Sequence, residues 1–306
     1  MTTRRPPLSW FLLVLLGCFL GLSAGACEPT PTAKAQEGAT PDQEKLAAEG
    51  DKTAGYVLIE KGTFEMGSPS SEEGRQNNET QHMVTLTRSF YLKATEVTQG
   101  EWRALMGNSP SSFSSCGDDC PVEQVSWYDG LAYCNALSRL EGVEECYDLS
   151  GCSGTPGKEG YSCPDSLSID LSCKGYRLPT ESEWEYAARA GTSSRFSSGN
   201  SESDLGKVGW YDGNSGSKTH AVGQKAANAW GLYDMHGNVW EWTWDWTGDY
   251  PSKATDPVGD TAGSYRVFRG GGCCNNARNA RAAFRGHDRP GDRFNYLGFR
   301  PVRSSP

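Results

Sequence analysis

Apolar and polar positions change period several times along the chain, and each change marks an element. Val57 and Ile59, then Phe64 and Met66, recur at period two with Lys61-Gly62 between them, which predicts two short strands in a fold starting near Tyr56. A polar loop is expected over 68–81. Met83, Thr85 and Thr87 then alternate with Val84, Leu86 and Arg88, and Phe90-Tyr91-Leu92 follows, so more strand is expected. Beyond this the period lengthens. Thr98 and Glu101, Ser126 and Asp129, and Thr180 and Glu183 each set a hydroxyl three residues before a carboxylate, the spacing of a capping box. They predict three short helices, carrying Trp102 and Leu105, Leu131 and Leu137, and Trp184 with Ala187-Ala188. The stretches 108–121, 150–174 and 193–228 read as long loops. No repeat of a solenoid or propeller is visible.

Trp240, Trp242, Trp244 and Trp246 stand at strict period two. On a strand they share one face, with Glu241, Thr243, Asp245 and Thr247 on the other. Such a stripe serves either as a stacking platform for sugar rings or as core. Core is the expectation, because an exposed row of four indoles would be an aggregation hazard.

The N-terminus has a different grammar. Arg4 and Arg5 precede an apolar run from Trp10 to Leu22 and the small residues Ala24-Gly25-Ala26. This is an export signal over 1–26; the run is short for a membrane span. Cys27 follows directly, and Ala-Gly-Ala-Cys resembles a bacterial lipoprotein box with Cys27 as the lipidated residue. Cys18 in Leu-Leu-Gly-Cys is the other candidate, and plain cleavage after Ala26 is a third outcome. Residues 27–55 hold one Leu and no aromatic side chain before Tyr56, so they cannot bury a core and read as a tether.

Composition sharpens this picture. With 37 Gly, 10 Trp and 13 Tyr in 306 residues, the chain suits a turn-rich fold with aromatic packing better than a helical bundle. The net charge of −9 argues against nucleic acid as a partner. Positive charge is concentrated in 266–303, which has nine Arg, no Lys and only Asp288 and Asp292 as acids. That segment could bind anions. Internal pairing with the acidic remainder is the stronger expectation, since all-Arg usage suits fixed bidentate pairs.

Of the cysteines beyond Cys27, seven lie between 116 and 173. In an exported chain this density implies disulfides; a zinc site on Cys116 and Cys120 is the alternative, with no His nearby. Connectivity does not follow from sequence. The pairings expected are Cys116–Cys120, Cys146–Cys173 and Cys152–Cys163, each of which would pin a loop or a hairpin base. Nine cysteines is an odd number, so at least one is free or paired outside the chain.

Several longer motifs occur in order: Gly62-Thr-Phe-Glu-Met-Gly-Ser68, Glu96-Val-Thr98, Pro121-Val-Glu-Gln-Val-Ser-Trp127, Gly175-Tyr-Arg-Leu-Pro-Thr-Glu-Ser-Glu-Trp184, Gly231-Leu-Tyr-Asp-Met-His-Gly-Asn-Val-Trp-Glu-Trp242, Phe268-Arg-Gly-Gly271 and Gly298-Phe-Arg300. Together, over 56–303, they resemble the formylglycine-generating enzyme (sulfatase-modifying factor) family. The resemblance implies a single α+β domain of the C-type-lectin-related kind, with short helices, much irregular chain and disulfide staples.

The resemblance also implies chemistry. The family's name-giving enzymes oxidise a sulfatase cysteine with oxygen and copper, using two cysteines just after a Gly-Gly-Ser segment; two thiolates suit Cu(I). Here that segment reads Gly270-Gly-Gly-Cys-Cys-Asn-Asn-Ala277. The expected Ser is Gly272, and the expected cysteines fall at Asn275 and near Ala277. Cys273 and Cys274 are displaced candidates, and adjacent sulfurs cannot readily flank one metal. Bonding of the two to each other, or of each to another cysteine, is the simpler expectation. Iron, used by other relatives, is not expected from the scattered His82, His220, His236 and His287.

For calcium, the resemblance maps ligands onto Asp234, the carbonyls of Gly237 and Val239, and Glu241, oxygen donors on a tight turn. Pairing of Glu241 with a C-terminal Arg is the alternative. The family's other calcium site would fall within 208–219, where its ligand pattern is not recognisable. A scaffold kept without its thiols favours an exported, lipid-anchored binding or accessory protein of the bacterial cell envelope. Its ligand would be a protein, peptide or glycan. Copper-dependent oxidation of a sulfatase cysteine is the alternative.

Overall fold

The computed structural model describes residues 54–305; the expected signal, Cys18, Cys27 and nearly all of the tether lie outside the described residues. Strands β1 (Tyr56–Ile59), β2 (Gly62–Met66), β3 (His82–Leu86) and β4 (Phe90–Lys93) come first, where the alternation predicts them. Helices α1 (Gln99–Met106), α2 (Trp127–Leu140) and α3 (Glu181–Arg189) follow, with β5 (Tyr176–Arg177) between the last two. Each helix opens on a complete capping box, on Thr98 and Glu101, Ser126 and Asp129, and Thr180 and Glu183. The hydroxyl accepts from the third backbone N–H and the carboxylate accepts from the cap's own, so two orphan donors are satisfied at each start.

The loop expected over 193–228 contains two further helices, α4 (Glu202–Val208) and α5 (Asp212–Ser215). Ser201 and Asp204 cap α4 by the same reciprocal bonds. The Gly- and Ser-rich composition hides this start signal.

The remaining strands are β6 (Trp240–Trp246), β7 (Lys253–Thr255), β8 (Arg266–Arg269), β9 (Gly286–Asp288), β10 (Leu297–Gly298) and β11 (Val302–Ser304). Three small sheets result, ordered β1-β4-β11-β5, β10-β6-β8-β9 and β2-β3-β7. In the first, β11 lies antiparallel to both β4 and β5, with Val302 opposite Leu92 on one side and Arg177 on the other. In the second, β6 runs parallel to β10 and antiparallel to β8.

Strand β6 is buried on both faces. Its indoles are core, as the pattern predicts: Trp242 donates to the Val125 carbonyl at 3.0 Å, and Trp244 stacks on Tyr147 at 5.5 Å between ring centroids. The C-terminal arginines are internal as well. Arg269, Arg281, Arg285 and Arg300 pair with buried Glu185, Glu79, Glu181 and Glu241. Arg266 lies over the rings of Trp246 at 3.5 Å and Trp127 at 3.8 Å. A free basic patch is therefore not what this segment makes.

Disulfides join Cys116 to Cys120, Cys146 to Cys173 and Cys152 to Cys163. They staple two long loops that have little regular structure of their own. Cys134, on α2, is a buried free thiol among aromatic side chains, and burial pushes its ionisation well up, so it behaves as a small apolar residue.

Candidate functional site

Two regions carry the residues singled out by sequence. The first is the turn after β8. Gly270 and Gly271 have φ of 99° and 77°, and a Cβ on Gly271 would lie 2.8 Å from the Ala280 backbone. Only glycine takes this conformation at that separation. The turn delivers Cys273 and Cys274 to the ends of β6 and α5. The Cys273 amide donates to the Asn238 carbonyl at 2.8 Å, and its carbonyl accepts from Ser215 Oγ at 2.5 Å.

Cys273 is buried and Cys274 exposed, with 3.1 Å between the sulfurs. They are bonded neither to each other nor to another cysteine among the described residues, which corrects the expectation that they pair. Their sulfurs stay in contact while the two residues differ in exposure. Desolvation, with contributions from Cys274 and the Glu123 carboxylate, pushes the Cys273 thiol far up. It is a thiol at neutral pH, where a soft metal needs thiolate. Linear Cu(I) coordination would also separate two sulfurs by about 4.6 Å, twice a metal–sulfur bond of ~2.3 Å. The pair does not fit copper held in that manner.

The positions matching the usual cysteines hold other things. Asn275 Oδ1 accepts from the Trp240 indole at 2.7 Å, and Ala277 is buried in the short 3-10 turn Ala277–Ala280. Beside this turn stands Glu123, fully buried. Its Oε1 accepts from the Phe113 amide at 2.7 Å, its Oε2 has no partner among the described residues, and desolvation raises its pKa to about 7.

The second region is the turn before β6. Asp234 and Asn238 have φ of 58° and 64°, and Gly237 lies so close to the Trp210 carbonyl that a Cβ would stand 2.2 Å from it. The turn buries Asp234 and Glu241 together. Glu241 takes both bonds of the Arg300 fork, at 2.7 Å each, and Oε2 also accepts from the Trp184 indole at 2.7 Å. The Arg alternative for Glu241 is thus realised, and Oε1 keeps one lone pair.

Asp234 is less well served. Its Oδ2 accepts from the Gly223 amide at 2.7 Å, while Oδ1 is buried without a partner. Desolvation, followed by smaller effects, leaves its pKa at about 6. Glu96 is also fully buried, and neither of its oxygens has a partner. Burial, then the Asp234 charge, drives its pKa well up. Glu96 has no assigned role in the sequence reading. Its only signal is an acid directly before Val97 in the Glu96-Val-Thr98 motif.

An orphaned carboxylate oxygen on a tight turn fits an oxygen-coordinated cation at Asp234. It fits only part of the expected ligand set, because Glu241 is largely occupied by Arg300. Among the described residues no three His, Cys, Asp or Glu side chains converge on one metal-sized point, so carbonyls would have to complete any shell.

The motif order, the fold and these two turns agree with a comparison by family. The model of the sulfatase-modifying factor enzyme 1-like domain matches residues 42–305. The chain belongs to this sulfatase-modifying factor family. It is 31% identical to the chaperone protein LppX of Paenibacillus barcinonensis, across 90% of this chain and 92% of that one. It is 29% identical to the formylglycine-generating enzyme of Streptomyces coelicolor, across 89% and 94%. Among solved structures, Treponema denticola variable protein 1 superposes with a TM-score of 0.73 at 35% identity, covering 82% of this chain and 95% of that one. The family therefore holds relatives with different names on one scaffold, and the scaffold alone does not choose between them.

Proposed function

We propose that the chain is an exported lipoprotein, anchored through a lipid on Cys27, whose domain binds a protein, peptide or glycan of the bacterial cell envelope and performs no cysteine oxidation. The arrangement of Cys273 and Cys274 carries this reading. One sulfur is buried and protonated, the other is exposed, and the usual positions are Asn275 and Ala277. The three disulfides support export, since such bonds persist outside the cytoplasm. The name of the Paenibacillus relative, a chaperone, supports a protein as the ligand.

The decisive assay is aerobic incubation of the protein with copper and a sulfatase-type cysteine peptide, read by mass spectrometry. No conversion of thiol to aldehyde is expected. Turnover that disappears in Cys273→Ser or Cys274→Ser would overturn the reading in favour of an oxidase. Fatty-acid labelling tests the anchor. Label is expected to vanish in Cys27→Ser; loss in Cys18→Ser alone would move the anchor there.

We further infer a structural Ca²⁺ at the turn before β6, held by Asp234 Oδ1, the carbonyls of Gly237 and Val239, and the free lone pair of Glu241. The unpartnered Oδ1 supports it. Such an ion would neutralise buried negative charge and hold the turn. The midpoint of thermal unfolding should fall with chelator and recover with added Ca²⁺. An unchanged midpoint, or an Asp234→Ala variant that responds fully, would remove the site.

A further inference from the structure

A cavity of about 340 Å³ opens between the C-terminal end of β6, the loop 248–260 and the start of α3. It shares no lining residue with either turn described above. Its size is within the range of small-molecule and side-chain pockets.

The charges in its wall do not balance. Glu181 and Arg285 cancel each other: Arg285 Nε donates to Oε1 at 2.6 Å and Nη2 to Oε2 at 2.9 Å. Glu181 also receives Arg269 at 3.2 Å and the Tyr250 hydroxyl at 2.8 Å. The remaining Arg285 nitrogen is spent on the carbonyls of Asn78 and Gly248. That leaves Asp245, Asp249 and Asp260 in the wall, none of them in a salt bridge among the described residues. Asp249 and Asp260 are exposed at the rim, while Asp245 is 4% exposed at the floor.

Asp245 is the informative group. One oxygen, Oδ2, accepts from the Glu181 amide at 2.7 Å. The other takes no hydrogen bond from any described residue and is left to the cavity it lines. Gly259, with φ of 74°, comes close enough that a Cβ there would meet the Asp245 Cβ at 2.8 Å, so the loop closes directly over this carboxylate. A carboxylate oxygen with no protein donor, on a side chain this buried, is open to a donor from a ligand.

The rest of the wall restricts what could supply it. Met66, Pro251, Pro257 and Val258 are apolar. Trp246 and Tyr250 each have a guanidinium over one ring face, Arg266 at 3.5 Å and Arg285 at 4.0 Å, and Tyr250 also packs on His82 at 4.4 Å, so little stacking surface is left. This disfavours a sugar ring. No three acidic or imidazole groups converge here, which disfavours a bare metal ion. An anion would face the unpaired carboxylates of Asp249 and Asp260 at the mouth.

We propose that this cavity binds an organic cation on an apolar stem, its ammonium or guanidinium head donating to Asp245 Oδ1 and its stem lying against Met66, Pro257 and Val258. Asp249 and Asp260 draw the cation to the mouth. A lysine side chain of a partner protein and a free alkyl diamine present the same chemistry. This ligand does not depend on the role proposed above.

The test is a titration of the full chain at pH 9, where Asp245 is ionised and alkylamines are still protonated, followed through the Trp246 indole resonance, with N-acetyl-lysine methylamide, 1,5-diaminopentane and the neutral 1-pentanol as probes. Saturable shifts with the amines and none with the alcohol are expected. Tighter binding of the lysine derivative supports a protein side chain as the source, and tighter binding of the diamine supports a free amine. Asp245→Asn keeps an acceptor for the Glu181 amide and should weaken amine binding by about tenfold or more, the weight of a charged hydrogen bond. Should that variant unfold, the rim variant Asp249→Asn/Asp260→Asn carries the test and should weaken binding several-fold with an unchanged melting midpoint. Equal shifts with amine and alcohol, no saturable shift with any probe, or wild-type affinity in the variants would overturn the proposal.

Discussion

Glu241 and Asp245 stand on the same strand, on the same face, and both are buried. Glu241 is well supplied: a guanidinium fork and an indole N–H converge on it from Arg300 and Trp184, leaving one lone pair on Oε1. Asp245 receives one backbone amide and has no cation of its own. The first is a structural group that ties β6 to the Gly298-Phe-Arg300 segment and to α3. The second remains under-supplied inside a cavity. Burial alone therefore does not distinguish a structural carboxylate from one available to a ligand; the count of donors does.

The largest effect should come from breaking the Glu241–Arg300 pair. Arg300→Met leaves Glu241 charged and buried, and should cost about 3–5 kcal/mol in denaturant unfolding. A loss below 1 kcal/mol would mean that water or an ion already serves Glu241.

The contrast in pH behaviour comes next. Desolvation first, then the Glu181 carboxylate, raises the Asp245 pKa to about 8, opposed by the Glu181 amide and Arg285, with Glu183 adding to the rise. A raised carboxyl pKa means that the folded state holds a proton the unfolded state has released. Its contribution is fully present below the unfolded value near 4 and is lost as pH rises to about 8. Wild type should therefore lose stability relative to Asp245→Asn across that window, by on the order of a few kcal/mol. Parallel curves from thermal melts at several pH values would show that Asp245 ionises freely.

The smallest effect sharpens the description of Glu241. Trp184→Phe removes the indole donor and leaves the Arg300 fork, so about 1–3 kcal/mol should be lost, including the small void created. Chemical denaturation of the double variant Trp184→Phe/Arg300→Met should show non-additivity, because both donors serve one carboxylate.

Much of this arrangement was readable from local spacing. The three capping boxes lie within four residues each, so their hydrogen bonds follow from sequence order, and period two in 240–246 places four indoles together. The Arg-only segment foretold buried pairs by its chemistry. What could not be read was long-range. The partner of Glu241 is Arg300, of Arg269 is Glu185, and of Arg281 is Glu79. Such matches depend on how three small sheets assemble, and no periodicity encodes that. Glu96 and Asp234 were separated for the same reason, and the cavity at Asp245 appears only when loop 248–260 folds back on α3. At 273–274 the residue types were legible but the geometry was not: sequence favoured bonded sulfurs, and the turn leaves them as unbonded neighbours, one residue buried and the other exposed.

The place of β11 has a consequence for how the chain matures. Residues 302–304 fill the gap between β4 and β5, so the first sheet has no continuous set of hydrogen bonds until they arrive. Until β11 is in place, the β4 edge facing it stays unpaired. A nascent chain in this state exposes a strand edge open to pairing with other chains. Completion of this sheet thus waits on residues 302–304, and a chain truncated before residue 302 should be open to proteolysis at both β4 and β5.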